Sequence, residues 1–287
     1  MSEQRDGSIP ATEAEYWNSA GARQWSVQHE RTDRAFAGLG QKILDVAAPK
    51  SGEHVLDIGC GAGTTVLDLA ERVGPGGRVL GADISEPSVT RGRARIAAAG
   101  ARQAEVICTD VANHPFAPGS FDLVFSRLGV MFFADPMAAF ANVHRAMKPG
   151  GRLALGVFRT PAESAWPTAA AAAVGHLLPP AAPPAPDQPG MFSLVDPARV
   201  RRILTAAGFR EVSLEPFDHM VQLAGRGGAA EAADFAMVFG PLTRVLPRLA
   251  QQQRDAVRRA LEEFFAGHLT PEAVTLRATF WIVQARA

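Results

Sequence analysis

A chain of 287 residues, 47% of them hydrophobic, is long enough to bury a sizeable core. Lys plus Arg and Asp plus Glu are equal at 29 each, so no net charge draws the chain toward nucleic acid or an anionic membrane surface. Its two cysteines, Cys60 and Cys108, exclude a disulfide framework and any zinc site built on several thiolates, and they suit a reducing compartment.

The opening Met-Ser-Glu-Gln-Arg-Asp lacks the basic and then apolar run of a signal peptide. The most apolar stretch, Ala169 to Leu178, is interrupted by His176 and stopped by Pro179-Pro180, too short and too broken to span a bilayer. The expectation is a cytoplasmic protein with no transmembrane segment. Residues 1–50, with Trp17, Trp25 and Phe36 among polar neighbours, read as amphipathic helices forming a cap.

From Val55 to Phe158 short apolar runs alternate with helix-period segments, the pattern of a parallel sheet covered by helices. Val55 to Ile58 is a buried strand, and Val66, Leu69, Ala70 and Val73 form one helix face that Gly74-Pro75-Gly76-Gly77 ends. Arg78 to Ala82 is a second strand, followed by a helix with Ser85 as its N-cap and Pro87 in its first turn. Ala104 to Cys108 and Phe121 to Ser126 are the third and fourth strands. A helix over Pro136 to Met147 ends in the turn Lys148-Pro149-Gly150-Gly151, and Leu153 to Phe158 is the fifth strand.

Six prolines among Leu178 to Pro189 predict an extended loop. A helix over Pro197 to Ala207 and a strand over Glu211 to Leu223 follow. Three apolar stripes then predict helices: Phe235, Val238 and Phe239; Leu242, Val245, Leu246 and Leu249; Val257, Ala260, Leu261 and Phe264. They precede the last strand, Thr275 to Gln284. The organisation expected is one domain over 1–287, with the cap at 1–50, a core at 51–224, a helical lid at 225–270 and the last strand within 271–287.

A glycine turn that leaves a first strand and opens a helix brings backbone N–H groups close to a polar ligand at the positive end of the helix dipole. Gly59-Cys60-Gly61-Ala62-Gly63 is such a turn. Thr64 or Val66 stands where the dinucleotide spacing needs its third glycine, and the Gly-Lys-Ser/Thr of a phosphate loop is absent.

The run Val55 to Gly63 resembles the first motif of the class I, Rossmann-like S-adenosylmethionine-dependent methyltransferases. Gly81-Ala82-Asp83-Ile84-Ser85 resembles the second, Cys108-Thr109-Asp110-Val111 the third, and Phe121 to Ser126 the fourth-strand motif. The resemblance covers about Ser51 to Arg159 and, more loosely, the Tyr16-Trp17-Asn18 to Trp25 segment, with the small-molecule group that includes quinone-biosynthesis enzymes the nearest in character. It implies an α/β fold: an open, mainly parallel seven-strand sheet with helices on both faces, the cap, and a lid inserted before the last strand.

It also implies S-adenosylmethionine as cofactor, held by Asp57, Gly59, Cys60, Gly61, Gly63, Asp83, Ile84, Asp110, Val111 and Ser126. In that reading Asp83 accepts from the ribose hydroxyls, Asp110 from the adenine amino group, and Ser126 lies beside the cofactor. Each has a plainer reading: Asp83 as a helix cap, Asp110 as a turn residue, Asp57 as a tie for loop amides and Cys60 as a wall residue.

Methyl transfer from a sulfonium needs no covalent intermediate, and a base is required only for a protonated acceptor. His29 is the candidate base, and Arg127 either favours an anionic group or forms an ion pair on the rim. His54 and His144 read as structural. Ser126-Arg127-Leu128-Gly129 stands where enzymes acting on planar amino groups carry Asn/Asp-Pro-Pro-Tyr/Phe, which disfavours nucleic-acid and glutamine acceptors. No acidic cluster suggests a metal site. The expected partner is a small molecule, apolar or aromatic, with acceptor atom and oligomeric state open. The alternatives are a non-catalytic cofactor-binding module and a nicotinamide oxidoreductase.

Overall fold

A computed structural model of the chain describes residues 12–19, 23–180, 188–225 and 227–287. The first six residues and most of the proline-rich loop, both subjects of expectations above, lie outside the described residues. In chain order the elements are α1 (Glu13–Asn18), α2 (Arg23–Val27), α3 (His29–Ala35), α4 (Ala37–Ala47), β1 (His54–Ile58), α5 (Thr64–Val73), β2 (Arg78–Asp83), α6 (Glu86–Ala99) and β3 (Ala104–Cys108). There follow β4 (Phe121–Arg127), α7 (Pro136–Ala146), β5 (Met147–Phe158), α8 (Ala165–Ala173), α9 (Pro197–Ala206), β6 (Arg210–Ala224), α10 (Gly228–Val238), α11 (Gln251–Ala266) and β7 (Val274–Arg286).

The seven strands form one sheet in the order β3-β2-β1-β4-β5-β7-β6. β1 to β5 pair in parallel, while β7 runs antiparallel to both β5 and β6. This is the open, mainly parallel α/β sheet expected. Central strands buried on both faces are near-continuous apolar runs, as in Leu123, Val124 and Phe125 of β4, all fully buried. α5 seats Val66, Leu69, Ala70 and Val73 against the sheet, each within 1% of complete burial, and stops at Gly74. Among the described residues no helix is long and apolar enough to cross a membrane.

Three local expectations are corrected. β5 begins at Met147, so Lys148-Pro149-Gly150-Gly151 lies within a strand. The reason is remote: Gly150 N–H donates to Ala287 O and Ala287 N–H donates to Gly151 O, so the chain's last residue supplies the ladder. The stripe Leu242 to Leu249 forms two 3-10 turns, Pro241–Arg244 and Leu246–Arg248, because Pro241 and Pro247 cannot donate to a helical ladder. α11 buries Val257, Leu261 and Phe265, leaving Phe264 only partly covered.

Candidate functional site

The strand order reverses between β1 and β4, since the chain runs outward through β2 and β3 on one side and through β4 and β5 on the other. In open α/β sheets the crevice at the carboxyl ends of such strands is where ligands bind. Here it gathers the glycine turn after β1, Asp83 at the end of β2, Thr109-Asp110 after β3 and Ser126-Arg127 at the end of β4. An open groove of about 570 Å³ lies elsewhere, between α6 and β3, lined by Arg93, Ile96, Ala101 and Val106. It contains none of these groups, so the strand-end crevice is the candidate.

Two glycines of the turn have different reasons to be glycine. Gly59 has φ +68, and a Cβ there would lie 2.5 Å from the Cα of Gly129, so the loops leaving β1 and β4 cross in contact. Gly61 has φ +55, and a Cβ there would meet nothing within 4 Å; its missing side chain faces open space. Gly63, at φ +80, is the N-cap of α5. A turn that is both left-handed and open fits a ligand that approaches backbone closely.

Asp83 is partly buried and links two strand-end loops. Its Oδ2 accepts from Gly61 N–H at 2.8 Å, and its Oδ1 accepts from Ser85 N–H at 2.8 Å. Burial raises its pKa above the usual carboxylate value, and the backbone donors of Ser85, Gly61 and Ile84 oppose that rise. Each carboxylate oxygen has a further lone pair, so Asp83 can still accept from hydroxyls. Ser85 occupies the N-cap position of α6 without capping it; its hydroxyl donates instead to Trp17 O at 3.1 Å.

Asp57 is fully buried and ties up no loop amide, contrary to expectation. Its Oδ2 accepts from the Thr65 hydroxyl, while Oδ1 has no hydrogen-bond partner. Burial pushes the carboxyl up to about 7, against the lowering effect of the Thr65 bond and the Arg127 charge. Cys60 is 5% exposed, its Sγ lies 2.8 Å from where a Cβ on Gly81 would stand, and burial holds its thiol well above its usual pKa. Its buried sulfur thus packs against the face of β2 at Gly81. Ser126 is fully buried, its Oγ donating to Ile58 O at 2.7 Å and accepting from Gly129 N–H at 3.2 Å. Its hydroxyl thus joins the ends of β1 and β4.

Asp110 is exposed, and local groups engage both its carboxylate oxygens: Ala112 N–H at 2.9 Å and Asn113 Nδ2 at 2.6 Å. Val111 packs into the core, 4% exposed. Ile84 O accepts from Asn18 Nδ2 at 2.9 Å.

The N-terminal helices close over this crevice, and four polar residues to which sequence reasoning assigned no role there hold them in place: Asn18, Asp33, Thr64 and Arg95. Asp33, on α3, accepts from Arg127 Nη2 at 3.0 Å and from the Thr64 hydroxyl. Arg95 Nη1 donates to Thr64 Oγ1 at 2.7 Å and to Ala62 O at 2.8 Å, and stands 3.7 Å from Asp33. Arg127 is therefore an ion-pair partner of the cap. Thr64 directly follows the glycine turn, the one signal that could have pointed to it.

Trp17 packs edge-on against Trp25 and Phe132, and Trp25 against Phe239, at centroid distances of 4.7–5.6 Å. These rings come from the N-terminal helices, the segment after β4 and the segment after α10. His29 Nδ1 lies 3.2 Å from Ser26 O, a contact that places the proton on Nδ1 and the basic lone pair on Nε2. His54 is the first residue of β1, and His144 packs edge-on against Phe209.

The family model described as a methyltransferase domain matches residues 55–151, the segment that carries these strand ends. Nocamycin O-methyltransferase from Saccharothrix syringae is 36% identical over 187 residues, covering 62% of this chain and 66% of that protein. Residues 55–151 are thus similar to a methyltransferase domain, and the sheet that carries them has the Rossmann-like methyltransferase fold. Demethylmenaquinone methyltransferase from Listeria monocytogenes is 32% identical over 114 residues, covering 40% of this chain and 48% of that protein. The chain thus spans less than two thirds of the length of these curated relatives. The methyltransferase fold extends to a solved structure, phosphoethanolamine N-methyltransferase 2 from Haemonchus contortus in complex with S-adenosyl-L-methionine. The TM-score is 0.58 at 17% identity, covering 96% of this chain and 60% of that one.

Proposed function

We propose that the protein binds S-adenosylmethionine in the strand-end crevice and transfers its methyl group to a small apolar or aromatic acceptor held between the N-terminal cap and a lid formed by α10, α11 and the turns joining them. The observation that carries this reading is the open, left-handed Gly61 whose amide is tied to the Asp83 carboxylate. Such a turn admits a ligand to the backbone, and the carboxylate beside it is placed for ribose hydroxyls. Two charge-assisted O–H bonds there would contribute about 1.5–3 kcal/mol each.

The cofactor supplies a methyl group on a sulfonium, an electrophile with a neutral leaving group. The chain's part is to bind, orient and exclude water. Asp83 would take the ribose, with the adenine toward Ile84, Asp110 and Val111. The glycine turn, with Asp57 behind it and Ser126 joining the ends of β1 and β4, would carry the remainder toward β4. Asp110 would reach the adenine with the lone pairs its turn leaves free. Holding acceptor and methyl in a near-attack pose can lower the barrier by up to about 7–11 kcal/mol. Where the acceptor arrives protonated, His29 Nε2 is the base the cap offers.

The rings of Trp17, Trp25, Phe132 and Phe239 favour a flat apolar acceptor. Nocamycin and demethylmenaquinone, the molecules for which the two relatives are named, support a small-molecule acceptor over a nucleic acid. The test is transfer of a labelled methyl group from S-adenosylmethionine to a panel of hydroxylated aromatic and quinol acceptors, beside duplex DNA and RNA. Labelling of at least one small acceptor that disappears in Asp83→Ala is expected. Labelling confined to nucleic acid would overturn the acceptor class.

A further inference from the structure

We infer that Asn18 and Asp33 are positioning residues that make the N-terminal cap a two-ended clamp on the cofactor cradle, one acting at its adenosine end and the other at its amino-acid end. This rests on the cofactor reading above, which sets the adenosine toward β2 and β3 and therefore the amino-acid end toward β1 and β4.

At the first end, Asn18 reads the loop that follows Asp83. Its Nδ2 donates to Ile84 O at 2.9 Å and its Oδ1 accepts from Glu86 N–H at 3.0 Å. The neighbouring Ser85 hydroxyl donates to Trp17 O, so the whole Ile84-Ser85-Glu86 loop is bonded to the end of α1. At the second end, Asp33 bonds Thr64, the residue after the glycine turn, and Arg127, the last residue of β4. Arg95 completes that cluster by bonding Thr64 and Ala62.

Other tertiary contacts hold α1 and α2 as well: the Tyr16 hydroxyl bonds Thr243 Oγ1 at 3.0 Å, Glu13 pairs with Arg244 at 3.0 Å, and the Ser26 hydroxyl donates to Pro87 O at 3.0 Å. α1 has six residues and buries none of them, and α2 has five. Helices this short do not hold their place by their own stability. Their position is set by such tertiary contacts, the bonds at either end of the cradle and the rings of Trp17 and Trp25 among them, so the geometry of each cradle loop is tied to the position of the cap. The second contact is the stiffer: the side chains of Arg127 and Asp33 are 17% and 19% exposed, and removing one member of a partly buried pair leaves the other charge uncompensated.

The two residues are separable by ligand. Calorimetry with S-adenosylhomocysteine and with methylthioadenosine, which keeps the adenosine and lacks the amino-acid end, is the experiment. Asn18→Ala should weaken both ligands about equally, near tenfold for the loss of two hydrogen bonds. Asp33→Asn should weaken S-adenosylhomocysteine about tenfold and leave methylthioadenosine within about twofold. Thr64→Val, which removes Asp33's partner beside the turn, should reproduce the Asp33→Asn pattern if that variant folds poorly.

A merely structural cap would lose both ligands alike in every variant, and that outcome, or no loss in any, overturns the inference. Wild-type protein that binds neither ligand would instead overturn the cofactor reading itself.

Discussion

Substituting Gly59 and Gly61 by alanine separates what the glycine turn does for the fold from what it does for the ligand. Both residues are left-handed, which costs a residue with a Cβ about 1–2 kcal/mol. At Gly59 the added Cβ also falls 2.5 Å from the Cα of Gly129, whose N–H is bonded to Ser126, so backbone must move. Overpacking of that kind costs about 1–3 kcal/mol more. The sum, about 2–5 kcal/mol, is a large part of a typical stability of about 5–15 kcal/mol. At about 2–4 °C per kcal/mol for a chain of this size, Gly59→Ala should lower the melting temperature by roughly 5–20 °C. Gly61→Ala meets no atom within 4 Å and should lose only a few degrees, while its methyl group projects into the space assigned to the cofactor. Thermal unfolding followed by circular dichroism, with calorimetric titration of S-adenosylhomocysteine, reads both quantities. A Gly61→Ala protein that binds as tightly as wild type, or a Gly59→Ala protein of unchanged stability, would refute this division of roles.

Asp57 gives a pH signature. Its folded-state carboxyl sits near 7, above its unfolded value, so the stability it contributes is complete below about pH 4 and is lost as pH rises through about 7. The slope in that window is about 1.4 kcal/mol per pH unit. Asp57→Asn lacks this slope and should gain on wild type by up to about 2–3 kcal/mol between pH 5 and 7 in urea unfolding; a pH-independent difference contradicts the assignment. Ser126→Ala leaves Ile58 O and Gly129 N–H without their buried partner and should cost about 1–3 kcal/mol, measured in the same way, whereas no loss would show that the loop re-satisfies them.

Much of the fold is legible in the sequence because its signals are local. Val55 to Ile58 is an apolar run closed by glycine, and Val66, Leu69, Ala70 and Val73 are at helical spacing, so β1 and α5 need no knowledge of what they touch. β5 is read six residues short because Gly150 and Gly151 find their partner in Ala287, far away in sequence. The turns at Pro241 and Pro247 are misread as helix because apolar spacing outweighs, on paper, two missing N–H donors.

The same division holds at the candidate site. The glycine turn and Asp83 carry their chemistry in adjacent residues, whereas Asp33 is an unremarked acid in a polar helix until folding sets it against Thr64 and Arg127. The Ser126 hydroxyl looks free in sequence and is spent on two backbone groups in the fold. Asp57 looks like a partner for amides, but the amide of Gly61 goes to Asp83 and leaves it only Thr65.

The most direct test of the cofactor site is calorimetric titration of wild-type and Asp83→Ala protein with S-adenosylhomocysteine. One site per chain is expected in the wild type, and an affinity at least about tenfold weaker in the variant, from the loss of charge-assisted bonds to the ribose. No binding to the wild type, or equal binding to both proteins, would contradict it.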